Sequence, residues 1–321
     1  MIADRVPWGV GLMLVAALVG CTADKSPVLP VTSVVLAVPK HPVCLSTGLE
    51  PGTLLVACSE ARTVLVLQPA PARVLYTVTL PFPPADVLAD APNRMAYVLH
   101  AQNDSLSQLS GSPLKLEKSL GLGTASLAGA ALRPGYNEVW LCDGVSAVQV
   151  LTAGRLQLKR TLPLGRYPQH LAFSLDGHTA WVTLKGENAL AAVDAESGKE
   201  LARVPVGIYP RDVVMAGTTA CVSNFGSHDI SLVDTVKYVE RARVPVRRQP
   251  NALALQGKTL WVACEDSYRL VAIQVTQAQV IGSIKTGFYP GDLEAQPTGS
   301  LAVCDPQHDQ VVIFTPQVPG S

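Results

Sequence analysis

The tetrapeptides Gly165-Arg166-Tyr167-Pro168, Gly207-Ile208-Tyr209-Pro210 and Gly287-Phe288-Tyr289-Pro290 decide the fold of this chain. Weaker copies occur elsewhere: Pro39-Lys40-His41-Pro42, Pro81-Phe82-Pro83-Pro84, Arg247-Arg248-Gln249-Pro250 and, without the proline, Gly121-Leu122-Gly123-Thr124. The seven copies end at residues 42, 84, 124, 168, 210, 250 and 290, which are 42, 40, 44, 42, 40 and 40 residues apart. This spacing matches the period of β-propeller blades.

Each clear repeat continues with short apolar segments separated by polar turns. After Pro168 comes the turn 175–178, and then the segment 179–183, which reads Thr-Ala-Trp-Val-Thr. Short runs rich in Val, Leu and Trp between Gly, Asp and Asn predict strands, and no long window shows helical periodicity. Four strands in each of seven repeats predict an all-β protein, a seven-bladed β-propeller of four-stranded blades.

The last repeat lacks a fourth strand, since it supplies only three segments before it stops at Pro316. The segment Val31 to Val38 precedes the first repeat and has no blade of its own. We expect this N-terminal strand to join the last blade and close the ring, which removes the open sheet edges. The propeller is therefore predicted over residues 31–316, with a C-terminal tail at 317–321.

The composition excludes two classes of protein. The chain has 321 residues, of which 48% are hydrophobic and 16% are charged, so it can build a large core and is not a disordered chain. Its 25 Lys+Arg balance its 25 Asp+Glu, which argues against nucleic-acid binding through bulk positive charge. We expect no nucleic-acid partner.

The N-terminus carries a targeting signal. Residues Val10 to Gly20 form an apolar stretch that is too short to span a membrane and typical of a signal-peptide core. The stretch ends in Leu18-Val19-Gly20-Cys21, which resembles the lipobox of bacterial lipoproteins. The resemblance implies removal of residues 1–20, lipidation of Cys21 and a tether over 21–30. Plain secretion and a short uncleaved anchor are the alternatives.

The lipobox resemblance also predicts where the protein resides. It implies a protein exported and lipid-anchored to the cell envelope, so the membrane is a partner through Cys21. By the sorting habit of that family, Thr22 after the cysteine points to the outer membrane, with the propeller on its periplasmic or surface face.

The second strands of the repeats resemble those of the YVTN β-propeller family. The copies are Tyr97-Val98-Leu99-His100, Trp181-Val182-Thr183-Leu184, Cys221-Val222-Ser223-Asn224 and Trp261-Val262-Ala263-Cys264. The resemblance covers residues 31–316 and is loosest in the third repeat. It implies an exported or surface propeller related in fold to lactonases and to propellers of some periplasmic oxidoreductases, with no single activity.

Polar residues recur at two positions that we expect at the mouth of the central channel. The residues two after each repeat anchor are Cys44, Asp86, Ser126, His170, Asp212, Ala252 and Asp292. The residues that end the second strands are Cys58, His100, Asp143, Leu184, Asn224, Cys264 and Asp305. Carboxylates and histidines at one mouth are typical of a divalent-cation or polar-ligand site. The alternative is that these aspartates cap nearby backbone amides.

From these positions we take six ligand or metal candidates and one best pair. The candidates are Asp86, His100, His170, Asp212, Asp292 and Asp305. Asp86 and His100 form the pair, since they are expected on neighbouring strands of one blade. Tyr167, Tyr209 and Tyr289 share one loop position, and they either line a binding face or pack over the neighbouring blade.

The cysteines allow one disulfide and offer no haem site. Cys44 and Cys58 are expected at corresponding ends of adjacent strands, so whether they are bridged stays open. The other four are predicted as buried thiols: Cys142, Cys221, Cys264 and Cys304. The sequence contains no Cys-x-x-Cys-His haem attachment motif, no Gly-x-Ser-x-Gly elbow and no His-Glu-x-x-His.

Three functional hypotheses follow. The first is a membrane-anchored, non-catalytic binding or scaffold propeller for a protein or small ligand. The second is a lactonase-like hydrolase, in which a divalent cation held by Asp86, His100, His170, Asp212 and Asp292 polarises a lactone carbonyl. The third, from fold analogy alone, is a docking propeller of a periplasmic electron-transfer system.

Overall fold

The computed structural model of the chain describes residues 27–124 and 126–317. These residues form seven antiparallel four-stranded sheets. In six of them each strand pairs with the next one along the chain, and the seventh also contains the first strand of the chain. The sheets are the blades of a propeller, so the predicted fold and number of blades are confirmed. Two short 3₁₀ helices, Ala101–Asn103 and Glu265–Ser267, lie in loops between consecutive strands. In the described part of the chain no helix has the length and hydrophobicity to cross a membrane.

The strands are numbered in chain order, and the first, β1 (Val31–Ala37), belongs to the last blade. Blades 1 and 2 contain β2 (Pro42–Thr47), β3 (Leu54–Cys58), β4 (Thr63–Pro69), β5 (Ala72–Thr79), β6 (Asp86–Asp90), β7 (Met95–His100), β8 (Ser105–Ser110) and β9 (Lys115–Gly121). Blades 3 and 4 contain β10 (Ala130–Leu132), β11 (Glu138–Cys142), β12 (Ala147–Thr152), β13 (Gln157–Pro163), β14 (Pro168–Phe173), β15 (Thr179–Leu184), β16 (Ala189–Asp194) and β17 (Glu200–Pro205). Blades 5 and 6 contain β18 (Pro210–Ala216), β19 (Thr219–Asn224), β20 (Asp229–Asp234), β21 (Val239–Pro245), β22 (Pro250–Gln256), β23 (Thr259–Cys264), β24 (Arg269–Gln274) and β25 (Gln279–Lys285). Blade 7 combines β26 (Leu293–Ala295), β27 (Leu301–Asp305) and β28 (Gln310–Pro316) with β1.

The hydrophobic core lies between the blades. The largest buried side chains occupy one register position of the second strands: Tyr97, Trp140, Trp181 and Trp261. Side chains alternate between the two faces of a strand, and both faces of the second strands are buried because each sheet packs between two neighbours. The fourth strands form the outer wall, where exposed polar residues alternate with apolar ones.

The ring closes through the two ends of the described chain, as predicted. Strand β1 pairs antiparallel with β28 over seven residues, from Val31 opposite Pro316 to Ala37 opposite Gln310. Blade 7 therefore takes its outermost strand from the N-terminal part of the chain. Because both ends are in one sheet, opening the ring requires breaking a whole strand pair.

The chain before β1 is also packed against the propeller. Leu29 N donates to Ser283 O (2.9 Å), and Ser283 N donates to Pro27 O (2.9 Å), which adds a short bridge to the outer edge of blade 6. The Leu29 side chain is 3% exposed and covers Gly282, where a Cβ would come within 2.6 Å of Leu29 Cγ. The predicted tether of residues 21–30 is thus wrong for residues 27–30, because burial of Leu29 holds them on blade 6.

Several predictions concern segments outside the described residues. Residues 1–26 include the predicted signal peptide, the lipidation site Cys21 and most of the tether, and residues 318–321 include most of the predicted tail. Gln317, the first residue of that tail, donates its backbone N–H to Pro30 O (3.0 Å).

Candidate functional site

One face of the propeller carries the loops that enter each blade and the loops that join second to third strands. We call it the channel face. The first strands of the blades begin there and surround a funnel of about 770 Å³. Several predicted site residues line this funnel: Cys44, Asp86, His170, Asp212, Ala252 and Asp292. The first strands supply most of this wall, and residues that follow the second strands, such as Ala101, Glu265 and Pro306, line its mouth.

The prediction for blade 3 is wrong by three residues. Ala131 pairs with Trp140 as Ala172 pairs with Trp181 in blade 4, which places Gly129, not Ser126, at the register position of His170. The repeat copy that ends at Thr124 lacks the proline that marks the other first strands, so its spacing was misleading.

The glycine at this position makes room for His170. A Cβ on Gly129 would lie 2.5 Å from His170 Cδ2 and 2.6 Å from Gln169 O, which no side chain tolerates without a shift. On its other side, the His170 imidazole forms an ion pair with Asp212, whose Oδ1 lies 2.9 Å from Nδ1. The imidazole is therefore fixed between blade 3 and blade 5 at the wall of the funnel.

Two of the predicted aspartates link neighbouring blades. Asp212 accepts hydrogen bonds from Val213 N (2.7 Å) in its own strand and from Leu253 N (2.8 Å) in blade 6. Charge-assisted bonds of this kind are about twice as strong as neutral ones. Asp212 is thus a structural tie between blades 5 and 6 as well as the partner of His170.

Asp292 forms the equivalent tie at the closing seam. It accepts hydrogen bonds from Leu293 N (2.9 Å) and from Leu45 N (2.8 Å) in blade 1. Glu294 adds a second link, since its Oε1 accepts a hydrogen bond from Thr47 N (3.2 Å) and another from the Thr47 hydroxyl. Asp212 and Asp292 therefore do bind backbone amides, as the alternative interpretation of these aspartates predicts.

The sequence prediction missed Glu294, although a signal for it was present. Glu294 lies two residues after Asp292, so the two side chains project from the same face of one strand. Both line the funnel. The alternation of side chains along the first strand would have placed Glu294 there.

Asp86 has a different neighbour. Its Oδ1 accepts hydrogen bonds from Val87 N (2.7 Å) and from the Cys44 thiol of blade 1 (3.0 Å). Burial raises the pKa of the Cys44 thiol, and the charges of Asp86 and Asp292 raise it further. Cys44 is therefore a neutral hydrogen-bond donor at physiological pH.

The funnel raises the pKa values of His170 and Asp292 and lowers the pKa of Asp212. Burial lowers the pKa of His170, but the charges of Asp212, Asp86 and Asp292 outweigh it and raise the value to about 9. Burial, together with the charges of Asp212, Asp86 and Glu294, raises the pKa of Asp292 to about 7. Burial opposes ionisation of Asp212, yet the charge of His170 and the amide hydrogen bonds hold its pKa below the usual value. At neutral pH, His170 is thus an imidazolium beside an ionised Asp212.

His100 and Asp305 do not reach the funnel, so the expectation that they face its mouth is wrong. His100 is fully buried between strands, with Nε2 2.8 Å from Ser107 Oγ and Nδ1 3.1 Å from Pro83 O. Burial lowers the pKa of His100. Asp86 and His100 do lie on neighbouring strands, β6 and β7, but only Asp86 lines the funnel.

Asp305 is also fully buried and accepts hydrogen bonds from His308 Nδ1 (2.8 Å) and Gln310 Nε2 (2.7 Å). Asp143, predicted at the same rim, accepts three backbone hydrogen bonds from the turn 145–147. Both carboxylates are used to hold local structure.

The predicted metal geometry is not formed by the described residues. In residues 27–124 and 126–317, no three His, Cys, Asp or Glu side chains are placed to hold one metal ion. The oxygens of Asp212 and Asp292 point to backbone amides, and His170 Nδ1 faces Asp212, which leaves only Nε2 of the imidazole for another group. The arrangement is suited to bind a polar group through His170 rather than to surround a cation.

The three predicted tyrosines divide into two groups. Tyr167 and Tyr209 are 53% and 51% exposed on adjacent loops of the channel face. Tyr289 is half-buried, and its ring lies 4.5 Å from the ring of Tyr268 in blade 6. Two of them are thus available to a partner, whereas the third packs on a neighbouring blade.

The loops under the two exposed tyrosines are held firmly. Lys185 N donates to Tyr167 O (3.0 Å), and Phe225 N donates to Tyr209 O (3.0 Å). Both tyrosines have a left-handed backbone, with φ of 56° and 53°. His41 and Gln249 have the same conformation at the same loop position of blades 1 and 6, so it is a feature of the repeat.

Glycines lie beneath both rings. A Cβ on Gly186 would come within 2.7 Å of Tyr167 Cδ2, and a Cβ on Gly226 within 2.9 Å of Tyr209 Cδ2. The tyrosine rings therefore rest on the backbone of the neighbouring loop, in fixed positions that leave about half of each side chain exposed.

The cysteines other than Cys21 are buried, and none of them forms a disulfide in the described part of the chain. The question left open for Cys44 and Cys58 is thereby answered: they are not bridged. The prediction that the remaining four cysteines are buried thiols is confirmed.

Comparison with known proteins supports the fold and no family. No protein-family model matches the chain, and a comparison with curated proteins finds no match. A solved structure of hydrazine synthase from Kuenenia stuttgartiensis is similar in fold, with a TM-score of 0.78 and 16% sequence identity. The similarity covers 93% of this chain and 99% of that chain. At this identity the similarity shows the β-propeller and nothing about activity.

Proposed function

We propose that this chain is an exported, membrane-anchored β-propeller that acts as a binding or scaffold module, and that the channel face is its binding face. A β-propeller whose sequence contains none of the catalytic motifs named above suggests a binding or scaffold role. The observation that carries the choice of face is the pair of exposed tyrosines, Tyr167 and Tyr209, on rigid neighbouring loops. Aromatic residues are enriched at protein interfaces, and loops held by a rigid scaffold commonly carry function.

The proposed anchor is the lipid on Cys21. Its support is the sequence Leu18-Val19-Gly20-Cys21, which resembles a lipobox and follows an apolar stretch. Two or more acyl chains give stable attachment, at about 0.8 kcal/mol for each buried CH₂. We expect the full chain to take up a labelled fatty acid and to fractionate with membranes. Cys21→Ser should lose both properties, whereas a labelled and membrane-bound Cys21→Ser protein contradicts the anchor.

Capture of partners from the cell envelope tests the binding face. The full chain is cross-linked in its own membranes, and the recovered components are compared with those of Tyr167→Ser/Tyr209→Ser. We expect the double variant to lose at least about tenfold in recovery, because exposed aromatic anchors contribute about 2 kcal/mol or more at interfaces.

Val236→Ser is the matched control for that experiment. Val236 is 70% exposed in the turn between β20 and β21, on the face opposite the channel face. The control should recover the same components as the unchanged chain. Equal losses in both variants, or no loss in either, would refute the channel face as the binding face.

A hydrolase with its site in the funnel is the second candidate. The observation that favours it is the His170–Asp212 ion pair at the wall of an open funnel. Because the pKa of His170 is about 9, this group is protonated at neutral pH and would polarise a carbonyl rather than accept a proton. Lactone turnover by the full chain that disappears in His170→Gln would support this function, and absence of turnover would leave only the binding role.

A further inference from the structure

A small pocket opens beside the funnel, between blades 4 and 5. It has a volume of about 210 Å³ and is lined by Gln169, Lys185, Tyr209, Arg211 and Phe225. Gln169 and Arg211 also line the funnel, so the pocket is a side chamber of the same channel face. We call this group of five residues the side pocket.

The two cations of the side pocket have no acidic partner. Among the described residues, no carboxylate oxygen lies within 4.0 Å of the Lys185 ammonium or the Arg211 guanidinium. Two arginines on the outer strands of blades 4 and 5 are different: Arg203 pairs with Glu187 and Glu200, and Arg243 pairs with Glu240. The charges of the side pocket are therefore available for a ligand.

Aromatic rings position both cations. Lys185 Nζ lies 5.9 Å from the centre of the Tyr209 ring, and Arg211 Cζ lies 5.4 Å from the centre of the Phe225 ring. The backbone of Arg211 is fixed as well, since its carbonyl accepts a hydrogen bond from Thr183 Oγ1 (2.9 Å). Both side chains are exposed, and the cation–π contacts favour positions over the rings while the N–H groups stay able to bind a ligand.

We propose that the side pocket binds a carboxylate, held by paired N–H bonds from Arg211 and by the charge of Lys185. The planar guanidinium matches a carboxylate in bidentate geometry, and the aromatic rings would cover the carbon skeleton attached to it. The carboxylate belongs either to a free small acid or to an acidic side chain of a protein partner. This inference rests on the proposed function, because it names a ligand for the same channel face.

The funnel and the side pocket use their charges differently. In the funnel, His170 is paired with Asp212, and the oxygens of Asp212 and Asp292 accept hydrogen bonds from backbone amides. Arg211 lines both spaces, but its guanidinium and the Lys185 ammonium have no acidic partner among the described residues. The side pocket therefore offers a carboxylate two unpaired cations.

Titration of the purified full chain tests the proposal without any partner. The probes are benzoate, succinate and a blocked tripeptide with one glutamate side chain, each followed by calorimetry at low salt, with sulfate as a further probe. We expect at least one carboxylate to bind to the unchanged chain. Lys185→Gln/Arg211→Gln should weaken it at least tenfold, which corresponds to about 1.4 kcal/mol. Lys199→Gln removes an exposed charge from the opposite end of blade 4 and should change nothing.

The outcomes separate the two sources and the two proposals. Tighter binding of benzoate or succinate indicates a free acid, and tighter binding of the tripeptide indicates a protein side chain. No carboxylate binding, equal binding by the double variant, or tighter binding of sulfate overturns the assignment. Envelope capture that still depends on Tyr167 and Tyr209 would then show that the binding face stands and only the carboxylate pocket has failed.

Discussion

The funnel wall and the side pocket are neighbours that differ in charge and in the partners of their charged groups. Acidic side chains of the wall bind backbone amides, whereas the cations of the pocket have no acidic partner among the described residues. The oxygens of Asp212 and Asp292 bind backbone amides of the adjacent blade, so their charge is part of the structure. The charged groups of Lys185 and Arg211 lie over aromatic rings, and no carboxylate neutralises them among the described residues. Residue type therefore does not separate structural from binding residues on this face. The identity of the bonded partner does.

Loss of Asp292 should have the largest effect on stability. Asp292→Ala leaves Leu45 N–H and Leu293 N–H without an acceptor at the seam where the ring closes. We expect the free energy of unfolding to fall by about 3 kcal/mol, since each buried donor left without an acceptor costs about 1–3 kcal/mol. Denaturant unfolding measures this, with Asp266→Ala as an exposed control that should change by less than about 1 kcal/mol. Equal effects in both variants would contradict a structural role for the funnel acids.

The second largest loss of stability is expected for Gly129→Ala, which adds a methyl group at the wall of the funnel. Gly129→Ala places a Cβ 2.5 Å from His170 Cδ2 and 2.6 Å from Gln169 O, so the imidazole and the neighbouring strand must move. We expect a loss of about 2 kcal/mol, which is typical of overpacking. Gly217→Ala is unsuitable as a control because Gly217 has a φ of 63°.

Gly121→Ala is the suitable control for that experiment, since it meets nothing within 4 Å. The control should change stability by less than about 0.5 kcal/mol. If Gly129→Ala were equally harmless, the placement of His170 against blade 3 would be wrong.

The pH dependence of stability should show that ionisation of Asp292 is unfavourable in the folded protein. Its pKa is about 7 in the folded protein, above the usual value of 3.8, so between these values the folded state binds more protons than the unfolded state. The contribution of Asp292 to stability therefore falls as pH rises from about 4 to about 7, by less than about 2 kcal/mol because water in the funnel screens the charge.

Asp292→Asn isolates that contribution. From pH 4 to pH 7, the free energy of unfolding of the unchanged chain should fall relative to that of Asp292→Asn. Above pH 7 the difference between the two should stay constant. A difference that grows in favour of the unchanged chain over this range would mean that Asp292 is stabilised as an anion.

Loss of the two pocket cations should have the smallest effect on stability. Lys185→Gln/Arg211→Gln breaks no ion pair and no side-chain hydrogen bond of the described chain, so we expect the free energy of unfolding to change by less than about 0.5 kcal/mol. Thermal and denaturant unfolding of the full chain check this. A large loss of stability would assign these side chains to the structure and remove the contrast with Asp292.

The sequence predicted the fold because repetition amplifies a weak signal. A single copy ending at Tyr167-Pro168 or Tyr209-Pro210 says little, but seven copies at nearly equal spacing specify the number of blades. The missing fourth strand of the last repeat specified the closure with β1. Blade 3 was misplaced because its repeat lacks the proline. Alignment of Trp140 with Trp181 would have identified Gly129.

The site was predicted less well for physical reasons. Spacing places His170, Asp212 and Asp292 on the first strands, and these do line the funnel. Spacing does not show that the side chains at the ends of two second strands, His100 and Asp305, are buried and bonded within their own blades. Nor can it find the side pocket, since Lys185 comes from blade 4 and Arg211 and Phe225 come from blade 5, so the pocket forms only when the two blades pack.

Site-specific photo-cross-linking in intact cells tests the assignment of the binding face most directly. A photoreactive amino acid replaces Tyr209 on the channel face or Val236 on the opposite face of the full chain. We predict a discrete cross-linked product from position 209, reduced in Tyr167→Ser, and none from position 236. Products from position 236 alone, or equal products from both positions, would contradict the account.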